Sequence, residues 1–304
     1  MITGTGAVAG RVRPMAVVGS FYPGRVDRLD SMVRDLLQAA DGIPGVVEAA
    51  AAGLPAGLLV PHAGLAYSGV TAAAGWRQLA GKDPESPLTV VILGTNHGAV
   101  WLDGIAAWTP GAWRTPAGEV AVDDALAAEI LGLGSPFLAD LEAHELEHSI
   151  EVQLPLLQAV APAARIVPMS VSCGRGPWAT DAGRLLGALL AERRAAGDAV
   201  VLAISTDMAH YPPAPACAHV TDLLLPAILD VDASALADAE ATVRDLRTRG
   251  LACGMCGIEP AVVGLAALRA MGAGRARPLS ATTSADAGGP ADRTVGYLAV
   301  RFDA

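Results

Sequence analysis

Three apolar runs in this chain each end on a group that can hold a metal ion or carry a proton. GLLV (57–60) runs into Pro61-His62-Ala63-Gly64, LTVVILG (88–94) into Thr95-Asn96-His97-Gly98, and AVVLAIS (199–205) into Thr206-Asp207-Met208-Ala209-His210. Imidazole nitrogen, carboxylate oxygen and thiolate sulfur are common protein donors to transition metals, and imidazole also titrates nearest neutral pH. One histidine after a strand is usually a loop hydrogen-bonder. Three such loops read differently, because a metal or acid–base site needs groups from several strands to converge. Tyr67 and Ser68, just past His62, either line the same pocket or pack a turn.

Two shorter motifs compete for attention. HELEHSIEVQLP (144–155) spells His-Glu-x-x-His, which on a helix would set His144 and His148 on one face with a general base between them. The longer metalloprotease form requires glycine and histidine where this chain has Glu151 and Leu154. The shorter form requires a third ligand downstream, yet no carboxylate or histidine occurs from Val152 to Thr180, and Pro155 interrupts the helix the motif needs. CGMC (Cys253–Cys256) is a lone Cys-x-x-Cys without a second pair or a thioredoxin-like context. Cys256 stands just before GIEP and a helical stretch, where thiolate is favoured, and a thiolate beside two imidazoles is a good soft-donor set. Cys253 reads as a buried thiol outside that set.

The elements that must carry these loops show as alternating patterns. GLLV, LTVVILG, ARIVPMSVS (164–172) and AVVLAIS are short, β-rich and bounded by turns, as strands covered on both faces are. Helical spacing appears in VDRLDSMVRDLL (26–37), VTAAAGWRQLA (70–80), DDALAAEILGL (123–133), HSIEVQLPLLQAV (148–160), DAGRLLGALLAERRAA (181–196), SALADAEATVRDLRTRG (234–250) and EPAVVGLAALRAM (259–271). The alternation predicts an α/β fold: a single domain over 14–304 with a largely parallel central sheet flanked by helices on both faces, after a loose leader at 1–13. ARPLSATTS and VGYLAVRF add closing strands. The carboxyl edge of such a sheet is where open α/β folds place their sites, so His62, His97, Asp207 and His210 are expected at one edge, with His148 approaching from its helix.

Composition narrows the function classes. The chain has 304 residues, 52% of them apolar but only 4% aromatic, so its core is built from Ala, Val, Leu and Ile, with Gly and Ala allowing close helix packing. A formal charge of -10 and no basic stripe argue against nucleic acid as a partner. No apolar run reaches the ~18 residues of a membrane span and the first residues lack a signal-peptide pattern, so the expected location is the cytoplasm, away from membranes. Four cysteines in this length make no disulfide framework. Lys82, in the turn GKDPES, is the only lysine, which leaves no candidate for Schiff-base or P-loop chemistry, and GTGAVAG is mis-spaced for a dinucleotide fingerprint.

An ordered series of longer motifs runs through nearly the whole chain: AVVGSFYPG (16–24), PHAGLAYSG (61–69), VILGTNHG (91–98), WRTPAGEVAVD (113–123), EHSIEVQLPLL (147–157), STDMAHY (205–211), CGIEP (256–260) and VGYLAVRF (295–302). With these the chain resembles the Memo family, in its bacterial and archaeal form, protein B of the AmmeMemoRadiSam system, which is structurally akin to class III extradiol dioxygenases. The resemblance implies a metal set of His62, His97 and Cys256, with Asp207 and His210 beside the metal and His148 and Glu151 in a pocket wall. His144 falls outside the shared segment. It further implies a mononuclear non-haem oxidoreductase, with Fe(II) as the cofactor and Cu or Zn as alternatives, acting on a small, phenolic substrate. His210 would be the general acid–base, and Asp207 or Glu151 would fix a tautomer. Radical SAM and AMMECR-type proteins are the partners the family association implies. Two other classes stay open: a ligand- or phosphopeptide-binding adaptor that keeps the pocket, and a zinc hydrolase. The chain departs from the family wording at GTNHG and at Cys253, an added thiol whose disulfide with Cys256 would remove the metal thiolate.

Overall fold

Three strands buried along their whole length lie side by side at the centre of the molecule, and helices cover both their faces. The computed structural model describes residues 10–81, 88–174 and 176–304. Its strands are β1 (Arg11–Arg13), β2 (Gly57–Val60), β3 (Thr89–Thr95), β4 (Gly104–Ala107), β5 (Gly111–Thr115), β6 (Gly118–Ala121), β7 (Phe137–Ala139), β8 (Arg165–Ser172), β9 (Val200–Ser205), β10 (Arg275–Thr283) and β11 (Gly296–Asp303). Eight of them form one sheet in the order β10-β11-β2-β9-β3-β8-β4-β7. The inner four, β2, β9, β3 and β8, run parallel, while β11 and β4 join them antiparallel on either side.

Alternation along each inner strand divides the apolar residues between two cores. Val91 and Leu93 of β3, Leu59 of β2, and Leu202 and Ile204 of β9 belong to one. Val90 and Ile92, Leu58 and Val60, and Val201 and Ala203 belong to the other. Successive side chains of a strand point to opposite faces, so uninterrupted apolar runs are what a sheet covered on both sides requires. This is the predicted α/β architecture.

The glycine-rich composition serves close approach. A Cβ at Gly187, on the helix Pro177–Ala195, would lie 2.2 Å from the carbonyl oxygen of Ala267 on the helix Ile258–Ala270. A Cβ at Gly264, on the other face of that second helix, would lie 2.4 Å from a γ-carbon of Ile204 in β9. Three layers therefore stack at a separation that larger residues would forbid.

The structure departs from the sequence-based expectations in several places. Residues 1–9 of the expected leader, and Lys82 with its turn, lie outside the described residues, but Arg11–Arg13 are not loose: they form β1, parallel to β5, and Arg13 is fully buried. The expected helix from His148 begins later. A 3-10 turn covers Glu151–Gln153 and the α-helix covers Leu154–Val160, because Pro155 suits a first helical turn, where no backbone N–H is needed, and not an interior. The helix Ala214–Leu229 escaped the periodicity reading, since it opens among prolines and carries Pro226 inside. The antiparallel margins and the small sheet β1-β5-β6 were also unforeseen.

Candidate metal centre

Because β2, β9 and β3 are adjacent and parallel, the loops that follow them open at the same edge. They deliver His62, Asp207, His210 and His97 to one cavity of about 700 Å³, where His148 and Cys256 join them. Cys256 arrives just ahead of the helix Ile258–Ala270. The chain can pass there because a Cβ at Gly257 would stand 2.6 Å from Thr206 Oγ1.

Hydrogen bonding settles which nitrogen each ring presents. Trp76 Nε1 donates to Gln153 Oε1 (2.8 Å), which orients that amide so that its Nε2 donates to Pro61 O and to Ser205 Oγ (2.9 Å each). Ser205 spends its one proton on Ser149 O (2.6 Å). It must therefore accept from His62 Nδ1, 3.0 Å away, which puts the ring proton on Nδ1 and leaves a lone pair on Nε2. That Nε2 lies 3.2 Å from Cys256 Sγ. His97 Nδ1 donates to Glu147 Oε1 (2.9 Å) and His210 Nδ1 to Met208 O (2.8 Å), so both rings also keep Nε2 as the acceptor nitrogen. His148 Nδ1 sits 3.4 Å from the same Glu147 oxygen.

The ligand atoms fall into two overlapping groups, each with every member within 4.8 Å of the others: His62, His97 and His148, and His62, Asp207 and Cys256. His62 is common to both. The three imidazole centroids stand 4.5–5.6 Å apart. The implied set of His62, His97 and Cys256 thus straddles the two groups and meets at His62.

Burial favours the uncharged forms of His62, Asp207 and Cys256. It holds His62 well below the ordinary imidazole value, assisted by His97 and His148, and it pushes Cys256 well above the ordinary thiol value, assisted by Asp207. Burial also raises Asp207, against the opposing pull of His210 and of the backbone N–H groups of His62 and Ala63 that bond its Oδ1 at 2.7 and 3.2 Å. Imidazole nitrogens, a carboxyl group and a sulfur that becomes anionic on losing its proton fit a borderline-soft divalent cation, or Cu(I), in donor type.

Residues 13–301 match the profile of the family described as Memo-like protein. The chain belongs to the Memo-like family. It is 34% identical to a MEMO1 family protein of Aquifex aeolicus, over 96% of this chain and 99% of the relative. It is 34% identical to one of Methanopyrus kandleri (95% and 98% covered) and 35% identical to one of Ignicoccus hospitalis (96% and 98%). In fold it is similar to an uncharacterized protein of Escherichia coli K12, with a TM-score of 0.50 and 18% identity over 82% of this chain and 99% of that one.

Not every residue expected at this Memo-like site faces the cavity. Glu151 is fully buried and turned away: its oxygens take Arg13 Nη1 (2.6 Å), the backbone N–H groups of Ala16 (2.8 Å) and Val17 (3.1 Å), and the hydroxyl of Tyr22. It orients no histidine. Instead it anchors the segment that brings Phe21 against His148, with ring centroids 4.7 Å apart. Asp207 likewise bonds the backbone of His62 and not a ring. The tautomers are fixed by Ser205, Glu147 and the Met208 carbonyl, none of which the sequence reading singled out for that task. Glu147 stood within the HELEH match, so its neighbouring histidine was the available signal. His144 sits elsewhere, its Nε2 bonded to Ala106 O (2.9 Å) among Trp108 and Trp113, and burial pushes it down to about 4. His144 and His148 share no helical turn, so the zinc-protease geometry is absent.

Glu147 joins the two histidine-bearing loops. Its oxygens take the backbone N–H groups of His97 (2.7 Å), His148 and Ser149 (2.8 Å each) as well as the His97 ring. Burial alone would raise its pKa, but the bond and charge of His97, His148 and the backbone donors outweigh it and hold the carboxyl at about 2, below its usual 4.5. A depressed carboxyl stabilises the fold fully above its ordinary value and loses that contribution as pH falls through about 2. Glu147→Gln is expected to flatten the acid limb of the melting temperature between those values and to weaken zinc binding by about 10–100-fold, as loss of a ligand-orienting partner does. Melting curves against pH and zinc titration check both.

Proposed function

We propose that this Memo-like chain is a mononuclear, Fe(II)-dependent oxidoreductase that acts on a small, phenolic substrate in the cavity. The observation that carries the reading is that His97 and Cys256 each stand beside His62, in two donor groups that share it, with Nδ1 of both rings already occupied, which leaves Nε2 and sulfur as donors. Two imidazoles and one anionic donor resemble the facial triad of non-haem oxygenases, with sulfur in place of a carboxylate oxygen. When bound, Fe(II) would supply redox chemistry and Lewis acidity at that triad.

The remaining residues have parts of their own. His210 lines the cavity with Nδ1 engaged by Met208 O, which leaves Nε2 as the nitrogen that can accept a proton from a substrate hydroxyl and return it later. Asp207 holds the His62–Ala63 backbone in place. Phe21, Tyr67, Tyr211 and Tyr297 supply aromatic walls for a flat ligand, in a chain whose composition is otherwise poor in such rings. Among the described residues no helix is long and apolar enough to cross a membrane, in keeping with the proposed cytoplasmic setting.

The test is anaerobic loading with Fe(II), metal analysis, and oxygen uptake across a panel of catechols and monophenols. Iron-loaded protein is expected to consume oxygen with a catechol-class substrate and zinc-loaded protein is not, while His210→Gln lowers kcat by about 100-fold or more without loss of iron. Absence of uptake across the panel, with one iron bound per chain, overturns the oxidoreductase reading in favour of a non-catalytic binding pocket.

A further inference from the structure

The Cys-x-x-Cys turn does more than deliver Cys256. Its two ends are tied to the same short segment after β9: His210 N donates to Cys253 O (3.0 Å) and Cys256 N donates to Asp207 O (3.2 Å). Between them Met255 is buried in the core, and a Cβ at Gly254 would stand 2.9 Å from Val243, so the turn has little room to shift. Both cysteines line the 700 Å³ cavity, both are partly exposed, and no disulfide joins them. The other two cysteines, Cys173 and Cys217, are buried in the core.

We propose that Cys253 and Cys256 form a peroxide-reactive thiol pair, in which an intramolecular disulfide withdraws the Cys256 sulfur from the metal centre and protects it from irreversible oxidation. The oxidant is a hydroperoxide. One thiol gives up its proton as its sulfur attacks the peroxide oxygen, the O–O bond breaks, and a sulfenic acid and an alcohol (or water), which takes that proton, result. The second sulfur then displaces water from the sulfenic acid to close the disulfide. In total two thiols lose two hydrogens and one peroxide is reduced. An external thiol reverses the step by exchange. Without Cys253, a sulfenic acid on Cys256 has no neighbouring thiol to capture it and proceeds to sulfinic and sulfonic acids. The consequence for the metal rests on the proposed role of Cys256, whereas the thiol chemistry itself does not.

The experiment uses metal-free full chain treated with hydrogen peroxide, alkylated and digested with trypsin. The expected product is a Gly250–Arg269 peptide that lacks two hydrogens and carries no alkyl group, while Cys173 and Cys217 are alkylated after denaturation. Zinc affinity, measured against each protein's own untreated level, is expected to fall on oxidation to that of the weaker site without Cys256 and to recover with dithiothreitol in the wild type. In Cys253→Ser it falls and does not recover. Separate alkylation of Cys253 and Cys256 after peroxide, or full recovery in Cys253→Ser, overturns the proposal. A mapped disulfide in a protein whose zinc affinity never changes upholds the thiol pair and refutes the metal role of Cys256 instead.

Discussion

His62→Ala is expected to abolish tight metal binding, whereas His97→Ala and Cys256→Ser each leave a measurable weaker site. The ranking follows from geometry. His62 is the one residue common to both donor groups, so its loss leaves neither with three members. Loss of His97 spares His62, Asp207 and Cys256; loss of Cys256 spares His62, His97 and His148. Removal of an orienting partner costs about 10–100-fold in affinity, and removal of the shared ligand should exceed that range. Zinc titration against a competing chelator gives the affinities, and circular dichroism confirms that each variant folds. A His97→Ala protein that binds more weakly than His62→Ala would refute the shared-ligand geometry. The same titration in weak buffer has a second readout. Since burial keeps the Cys256 thiol protonated well above its usual range, metal uptake must release that proton, so affinity falls as pH falls. In Cys256→Ser that release disappears.

The largest effect on stability is expected from Glu151→Ala. Arg13 and Glu151 are both fully buried and 2.6 Å apart, at the junction between the small sheet and the pocket wall. Arg13 also donates to the His144 and Glu147 carbonyls and lies 4.1 Å over the Trp113 ring. Truncation of Glu151 strands a guanidinium in an apolar interior and leaves the Ala16 and Val17 amides and the Tyr22 hydroxyl without their acceptor. Breaking a buried pair in this way costs about 3–5 kcal/mol, much more than a surface pair. Urea unfolding measures it. The double variant Arg13→Met/Glu151→Leu should lose less than the two single losses combined, because it buries no unpaired charge. A single-variant loss below about 1 kcal/mol would show that solvent reaches the pair. Phe21 packs on His148 from the segment that Glu151 anchors, so the variant should also weaken ligand binding in the cavity.

Much of the site was written locally. An apolar run that breaks into Pro-His-Ala-Gly, Thr-Asn-His-Gly or Thr-Asp-Met-Ala-His announces a strand that ends on a donor, because strand burial and loop polarity each follow from a few consecutive residues. The same local logic supported the alternation of strands and helices and the two-faced sheet. It failed where prolines disturbed the pattern, in the helix Ala214–Leu229 and at the delayed start of the helix Leu154–Val160.

Sequence by itself determined which residue types stand at strand ends and that their sheet is covered on both sides. Only the tertiary structure decided that β2, β9 and β3 are neighbours, that His62 belongs to two donor groups, and that Glu151 turns from the histidines toward Arg13, far away in the chain. Those outcomes depend on which distant segments pack together and on which side of the backbone a carboxylate finds its counter-charge, and neither is contained in the spacing of adjacent residues.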